Sequence, residues 1–249
     1  MSGPLLRGLA RHFSALAHLQ RLSLIARRPH LPSRCAICHS WPVRALCDAC
    51  VRSFGQPLHR CRLCALPPPP SQDCCGRCLL QPPPVDQTLA ALPYAYPWSG
   101  VIAQFKFRQH TGWAHSLATL LRNAPWVEPA LHAANSLLPM PLGRARLLER
   151  GYNQAQLLAQ ALEPAKLQSK VLLRLRDGVP QSSLPRAERL QAVQGAYALE
   201  PRQAASIEGQ RVVLLDDVMT TGASLFEAAR VLRLAGVAHI TALVVARTE

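Results

Sequence analysis

Eight of the nine cysteines in this 249-residue chain fall into four Cys-x-x-Cys pairs: Cys35 and Cys38, Cys47 and Cys50, Cys61 and Cys64, Cys75 and Cys78. Two thiolates two residues apart can chelate one ion from a tight knuckle, and two knuckles complete the tetrahedral four-thiolate shell that structural zinc prefers. Two structural zinc ions are therefore expected. Residues 30–84 are filled with Pro, Arg and short loops and hold too few large apolar residues for a self-supporting core. Metal binding would supply much of their folding free energy. The competing arrangement, a disulfide-stapled secreted domain, needs an oxidising compartment and usually a signal peptide, and the sequence points to neither. Spacing leaves the pairing open. Sequential closure would unite Cys35, Cys38, Cys47 and Cys50, then Cys61, Cys64, Cys75 and Cys78; an interleaved pattern fits as well. Cys74 could replace its neighbour Cys75, and His39 and His59 read as surface histidines.

The length accommodates one core of about 150 residues and a small accessory module. No apolar stretch approaches the ~18 to 20 residues of a membrane-spanning helix, so a soluble, cytoplasmic protein without membrane insertion is expected. The formal charge is +14, and 25 of the 28 basic residues are Arg. Arginine matches phosphate oxygens bidentately, which favours phosphorylated ligands or nucleic acid as partners. The same excess could merely keep the surface solvated. Its distribution is uneven: residues 1–34 carry Arg7, Arg11, Arg21, Arg27, Arg28 and Arg34 without an acid, whereas residues 211–249 carry four charges of each sign. Such a start resembles an organellar transit peptide, a basic helix that docks on DNA, or translation from a misassigned start codon.

Proline runs at Pro67–Pro70 and Pro82–Pro84 punctuate the cysteine-rich part and its exit. The expected organisation is a basic extension over 1–33, a double zinc ribbon over 34–84 and a larger domain over 85–249. In that domain short β-like runs alternate with helical stretches. Strands are expected near 88–94, 134–138, 171–175, 211–215 and 239–246; helices near 98–108, 113–122, 152–162, 185–194 and 222–235. This alternation predicts an α/β fold, a parallel sheet covered by helices on both faces, with ligands bound beyond the strand C-termini.

The chemistry concentrates in VVLLDDVMTTGAS, Val212 to Ser224. An apolar strand from Arg211 to Leu215 ends at Asp216 and Asp217, a small polar turn runs from Val218 to Gly222, and a helix follows, with Gly236 as a left-handed cap. Backbone N–H groups of such a turn can converge on an anion at the positive end of the helix. Thr220, Thr221 and Ser224 add hydroxyl donors, and the paired carboxylates can accept from the vicinal hydroxyls of a sugar. Together they would hold both ends of a ribose 5-phosphate. The plainer alternative is an ordinary helix cap by Thr221 or Ser224.

The segment resembles the ribose-phosphate signature of the type I phosphoribosyltransferases. More narrowly, the chain from about Arg34 to Glu249 is similar to the ComF/GntX family, which joins a double zinc ribbon to a phosphoribosyltransferase domain. The matching pieces are the four cysteine pairs, FKF at Phe105–Phe107, PMPL at Pro139–Leu142, RGYNQA at Arg150–Ala155, and Gln181, Leu184 and Arg189. The resemblance implies binding of phosphoribosyl pyrophosphate with Mg2+. Asp216 and Asp217 take the catalytic role, and Val218, Met219, Thr220, Thr221, Gly222, Ala223 and Ser224 cradle the 5-phosphate. Pro139–Arg144 forms the short loop on pyrophosphate, with Pro141, Leu142 and Arg144 at the ligand. Arg150, Gly151, Asn153 and Gln154 line the same pocket, and Arg174–Leu184 forms the loop that closes over it, with Gln181 and Arg189 also at the ligand. Lys106, the only Lys of the first 165 residues, is a phosphate contact or a snorkelling side chain. The family's Thr before Gln181 and Asn after Arg189 are replaced here by Gly178-Val179-Pro180 and Ala192, which implies a catalytically weaker closing loop.

Three functions follow. An enzyme would transfer the phosphoribosyl group to an acceptor that no second motif identifies. A competence accessory, implied by the same resemblance, would grip single-stranded DNA or a helicase partner in natural transformation. Aromatic residues make up only 5% of the chain, which is sparse for base stacking. A third reading keeps the pocket as a sensor without turnover.

Overall fold

A computed structural model describes residues 32–176 and 193–249 of the chain. The most apolar runs of the sequence form the two central strands of a four-stranded sheet, β5 (Arg211–Met219) and β6 (His239–Arg247). β1 (Gln87–Pro93) and β2 (Ser136–Pro139) are its edges; the order is β1-β6-β5-β2 and every neighbouring pair is parallel. Parallel strands buried on both faces have no polar side to display, which is why these segments read as continuous rather than alternating hydrophobic runs. Val212, Leu214, Ile240, Ala242 and Val244 pack in one cluster with Leu225, Ala228, Ala229 and Leu232 of the helix that follows β5. The intervening Val213, Leu215, Leu243 and Val245 are fully buried as well, so the opposite face is also covered.

The helices are α1 (Asp48–Phe54), α2 (Gly76–Leu80), α3 (Trp98–Phe107), α4 (Trp113–Asn123), α5 (Val127–Ala133), α6 (Arg144–Arg150), α7 (Gln154–Leu162), α8 (Pro201–Ala204) and α9 (Ala223–Leu234). α4 buries Ala114, Leu117, Ala118 and Leu121, the i, i+3, i+4, i+7 stripe of an amphipathic helix, and packs mainly on α7. Asn153 caps α7: its Oδ1 accepts from the amides of Ala155 at 2.9 Å and Gln156 at 3.4 Å. Gly236 has φ +79° and closes α9, as the sequence predicts.

The expected elements that fall within the described residues are found, with three corrections. β5 does not end at Leu215; it runs through both acids to Met219, because β6 offers ladder partners along that whole length, Asp216 opposite Val244 and Met219 opposite Arg247. The turn is accordingly Thr220–Gly222 rather than Val218–Gly222. Arg144–Arg150, expected partly as loop, is the helix α6, which Gly151 terminates at φ +78°. The strand expected near 171–175 is β3 (Leu172–Arg174), but it pairs antiparallel with an unanticipated β4 (Tyr197–Leu199) in a separate ribbon. The helix expected near 185–194 falls outside the described residues apart from Val193 and Gln194, which lie in a turn; Gln181, Leu184 and Arg189 fall outside them too.

The chain divides into two compact units after Cys47. In the first, Ser33 bridges Val43, and the Cys35 amide donates to the Ser40 carbonyl at 3.0 Å. In the second, Asp48–Glu249, the knuckle of Cys61 and Cys64 continues into the sheet: Thr88 of β1 donates from its amide to the Arg62 carbonyl at 2.7 Å and from Oγ1 to the Leu63 carbonyl at 2.8 Å. Among the described residues no helix is long and apolar enough to cross a membrane.

Candidate ribose-phosphate site

A cleft of about 510 Å3 opens beyond the carboxyl end of β5. Its floor is the continuous segment Asp216–Leu225; its walls come from Tyr94, Lys106 and Phe107, Met140–Leu142, Arg146, Glu149 and Arg150, Asn153 and Gln154, and Arg174 with Tyr197. Four cations and three acids thus face one another where a parallel sheet ordinarily binds its ligand.

The turn is held by Gly222, at φ +83°. A Cβ there would run into the side chains of Met219 and Phe226, so glycine is required by conformation and by space together. The Gly222 carbonyl accepts from the Phe226 amide at 2.8 Å, and Thr221 Oγ1 accepts from the Ala223 amide at 3.3 Å. Thr221 therefore satisfies the first amide of α9 as well as lining the cleft. The first turn of the 12-residue α9 lines the cleft with Ala223–Leu225, where the positive end of the helix dipole favours an anion. Ser224, in the first turn, hydrogen-bonds Tyr197, whose hydroxyl also accepts from Arg174 Nη1 at 3.0 Å, so the β3–β4 ribbon leans on the same turn.

The two acids differ. Asp217 is 4% exposed, and its Oδ1 accepts from the Val218 amide at 2.7 Å and from Lys106 Nζ at 2.9 Å. Asp216 is half-buried; desolvation and the Asp217 charge push its carboxyl up to about 7, against the opposing pull of Lys106. Burial works against the Lys106 ammonium, but Asp217 and Asp216 outweigh it and hold its pKa above the usual lysine value. Lys106 is a buried counterion of the acidic pair, not a snorkelling side chain.

Its placement explains why FKF and RGYNQA occur together. Tyr152 donates its hydroxyl to the Phe105 carbonyl, Gln154 Nε2 donates to the Lys106 carbonyl at 3.3 Å, and the Arg150 guanidinium lies 5.2 Å from the centre of the Phe107 ring. Asn153 Nδ2 donates to the Met140 carbonyl at 2.9 Å, tying the same segment to the end of β2. Asn153 and Gln154 line the cleft while tying its wall to Met140 and to α3.

Of the other anticipated residues, Val218–Ser224, Pro141, Leu142 and Arg150 line the cleft, whereas exposed Arg144 and the cap Gly151 do not. Arg146, one turn before Arg150 on α6, lines it in place of Arg144. That i, i+4 pair was legible once the segment was taken as a helix. Met140, expected in the pyrophosphate loop, lines the cleft too; Glu149, Tyr94, Phe107 and Tyr197 were not anticipated, and Arg174, expected where a strand gives way to the closing loop, ends strand β3.

The cysteines resolve into the sequential groups. The Sγ atoms of Cys35, Cys38, Cys47 and Cys50 lie within 4.8 Å of one another, as do those of Cys61, Cys64, Cys75 and Cys78, and Cys74 belongs to neither group. Cys38 and Cys47 sulfurs are 3.6 Å apart and those of Cys64 and Cys75 are 3.7 Å apart, far beyond a disulfide bond, and no disulfide joins any of the nine cysteines. Burial opposes ionisation of Cys61, but the amides of Cys75, Leu63 and Cys64 outweigh it and bring its pKa down to about 7, while burial pushes Cys64 up to about 11. Amides aimed at sulfur beside thiols that resist crowding further negative charge suit a four-thiolate shell around a divalent cation. Each group could bind zinc.

Residues 148–249 match the phosphoribosyl transferase domain family. Over 214 residues the chain is 31% identical to the DNA utilization protein YhgH of Escherichia coli K12, covering 82% of this chain and 90% of the relative. It is 33% identical over 172 residues to competence protein F of Haemophilus influenzae, covering 67% and 75% respectively. With competence protein ComFC of Bacillus subtilis it shares 40% identity over 96 residues, 39% of this chain and 37% of that one.

Proposed function

The chain belongs to the ComF/GntX family, a double zinc ribbon joined to a type I phosphoribosyltransferase domain, and on that premise we propose that its cleft binds phosphoribosyl pyrophosphate with Mg2+. The observation that carries the proposal is the meeting of an acidic pair, an anion-ready turn and the cations Lys106, Arg146, Arg150 and Arg174 in one cleft. The turn takes the 5-phosphate through main-chain amides and the hydroxyls of Thr220, Thr221 and Ser224. Asp216 and Asp217 accept from the ribose hydroxyls, and the arginines face the pyrophosphate. Mg2+, a hard cation that prefers oxygen donors, would be held on the ligand's oxygens beside Asp216 and Asp217 and would supply positive charge to offset that of the pyrophosphate.

Phosphoribosyl transfer to an acceptor would follow by attack of a nucleophile at the anomeric carbon as the bond to pyrophosphate breaks. The contribution of this chain is positioning and electrostatics: the arginines neutralise the leaving group's charge and the Lys106 ion pair holds Asp217 in place. Calorimetry with phosphoribosyl pyrophosphate and Mg2+ tests the binding. Asp216→Asn and Asp217→Asn should each lose a charge-assisted bond worth about 1.5 to 3 kcal/mol, roughly one to two decades of affinity. Thr221→Phe should block the phosphate. Folded variants that bind as well as wild type would place the ligand elsewhere.

The names of the relatives favour a second reading, an accessory of DNA uptake that holds single-stranded DNA or a helicase partner. It predicts salt-sensitive oligonucleotide binding that weakens when residues 1–30 are deleted. Full-length protein that ignores oligonucleotide at low salt would remove DNA from this reading.

A further inference from the structure

Arg247, the last residue of β6, is 1% exposed. The register that sets Met219 opposite Arg247 carries its side chain beneath the phosphate turn. There the guanidinium donates from Nε to the Cys64 carbonyl at 2.9 Å, and from Nη1 to the Met219 carbonyl at 3.0 Å and to the carbonyls of Thr220 and Thr248. One buried cation thus joins the knuckle of the second cysteine group to the turn. A second contact runs beside it: Phe226 packs against the cluster of Cys61, Cys64 and Cys78, and the same ring fills the space next to Gly222.

The consequence for the turn follows from peptide geometry. In a trans peptide the C=O and the following N–H point in opposite directions. Drawing the carbonyls of Met219 and Thr220 onto Arg247 therefore turns the amides of Thr220 and Thr221 away from it, toward the cleft. The buried positive charge lies on the far side of the same two peptides, where little water screens its attraction for an anion. Arg247 holds this position against the Cys64 carbonyl, within the knuckle that a bound metal ion would close.

We infer that Arg247 is a positioning residue through which the Cys61–Cys64–Cys75–Cys78 group sets the anion affinity of the Thr220–Ser224 turn, so that metal in that group and phosphate in the turn tighten each other. The inference rests on the phosphate-binding reading of the turn. Coupling between two equilibrium sites is reciprocal, so it is measurable from either end.

The probe is ribose 5-phosphate, because pyrophosphate groups themselves chelate zinc. With the full-length, zinc-loaded protein, ribose 5-phosphate should slow one phase of zinc release to a chromophoric chelator by about fivefold or more and leave the other phase unchanged. Hydrogen-exchange mass spectrometry should show protection at Arg62–Ala65 together with Thr220–Ser224. Arg247→Lys keeps the charge but not the planar fork. It should retain its zinc, bind ribose 5-phosphate about tenfold more weakly, and lose the ligand effect on release. If that variant does not fold, the two wild-type measurements decide alone. Ligand that protects the turn while leaving Arg62–Ala65 and both release phases unchanged would overturn the coupling and leave the phosphate site standing. Zinc-loaded wild type that binds no ribose 5-phosphate by calorimetry would remove the phosphate site and the inference with it.

Discussion

Lys106 Nζ stands 2.9 Å from Asp217 Oδ1, joining the end of helix α3 to strand β5 across 111 residues of sequence. Both side chains are largely withdrawn from water, at 23% and 6% exposure, so neither charge is readily replaced by solvent. Removing one partner strands the other. Lys106→Met should destabilise the fold by about 3 kcal/mol, and Asp217→Asn by a similar amount, while the double variant should recover part of the loss. Urea denaturation of the three variants measures the coupling; strict additivity would show that the pair does not interact.

Asp216 gives the site a pH dependence. Its folded-state carboxyl is raised to about 7, so between the unfolded carboxylate value and about 7 the native state binds more protons than the unfolded state. Stability must then fall as pH rises through that window and level off above it. Asp216→Asn should remove this slope, so its advantage over wild type grows from pH 4 to pH 7. Phosphoribosyl pyrophosphate affinity should move oppositely in wild type, rising through pH 7 as the carboxylate becomes able to accept from the ribose. Subtracting the Asp216→Asn profile cancels ionisation of the ligand itself. Parallel profiles would exclude Asp216 from the ribose contact.

Gly222→Ala places a side chain at φ +83°, against Met219 and Phe226. The left-handed conformation alone costs about 1 to 2 kcal/mol. The variant should melt lower than wild type and bind phosphate ligands poorly, since Phe226 cannot be displaced without disturbing both the turn and the second cysteine group. Differential scanning calorimetry and ligand titration check this, and an unchanged melting temperature would contradict the packing described.

Elemental analysis should find about two zinc ions per chain, as two complete four-thiolate groups require. Cys74→Ser should leave that content unchanged, because Cys74 belongs to neither group. A content of one, or a loss on replacing Cys74, would reassign the ligands.

Sequence alone determined the features whose physics is local. The repeated two-residue spacing of the cysteines makes a knuckle wherever the chain goes, and a run of apolar residues ending in two acids and Thr-Thr-Gly carries its strand, turn and helix in one stretch. Tertiary structure decided what depends on neighbours distant in sequence. The length of β6 kept β5 paired through the acids to Met219, which moved the turn to Thr220–Gly222 and set Arg247 beneath it. The docking of Tyr152 and Gln154 on α3 delivered Lys106 to Asp217, and the pairing of β3 with β4 brought Arg174 and Tyr197 to Ser224. Spacing leaves the grouping of eight equivalent thiols open, since every Cys-x-x-Cys pair looks alike until the fold brings particular pairs within reach of one ion.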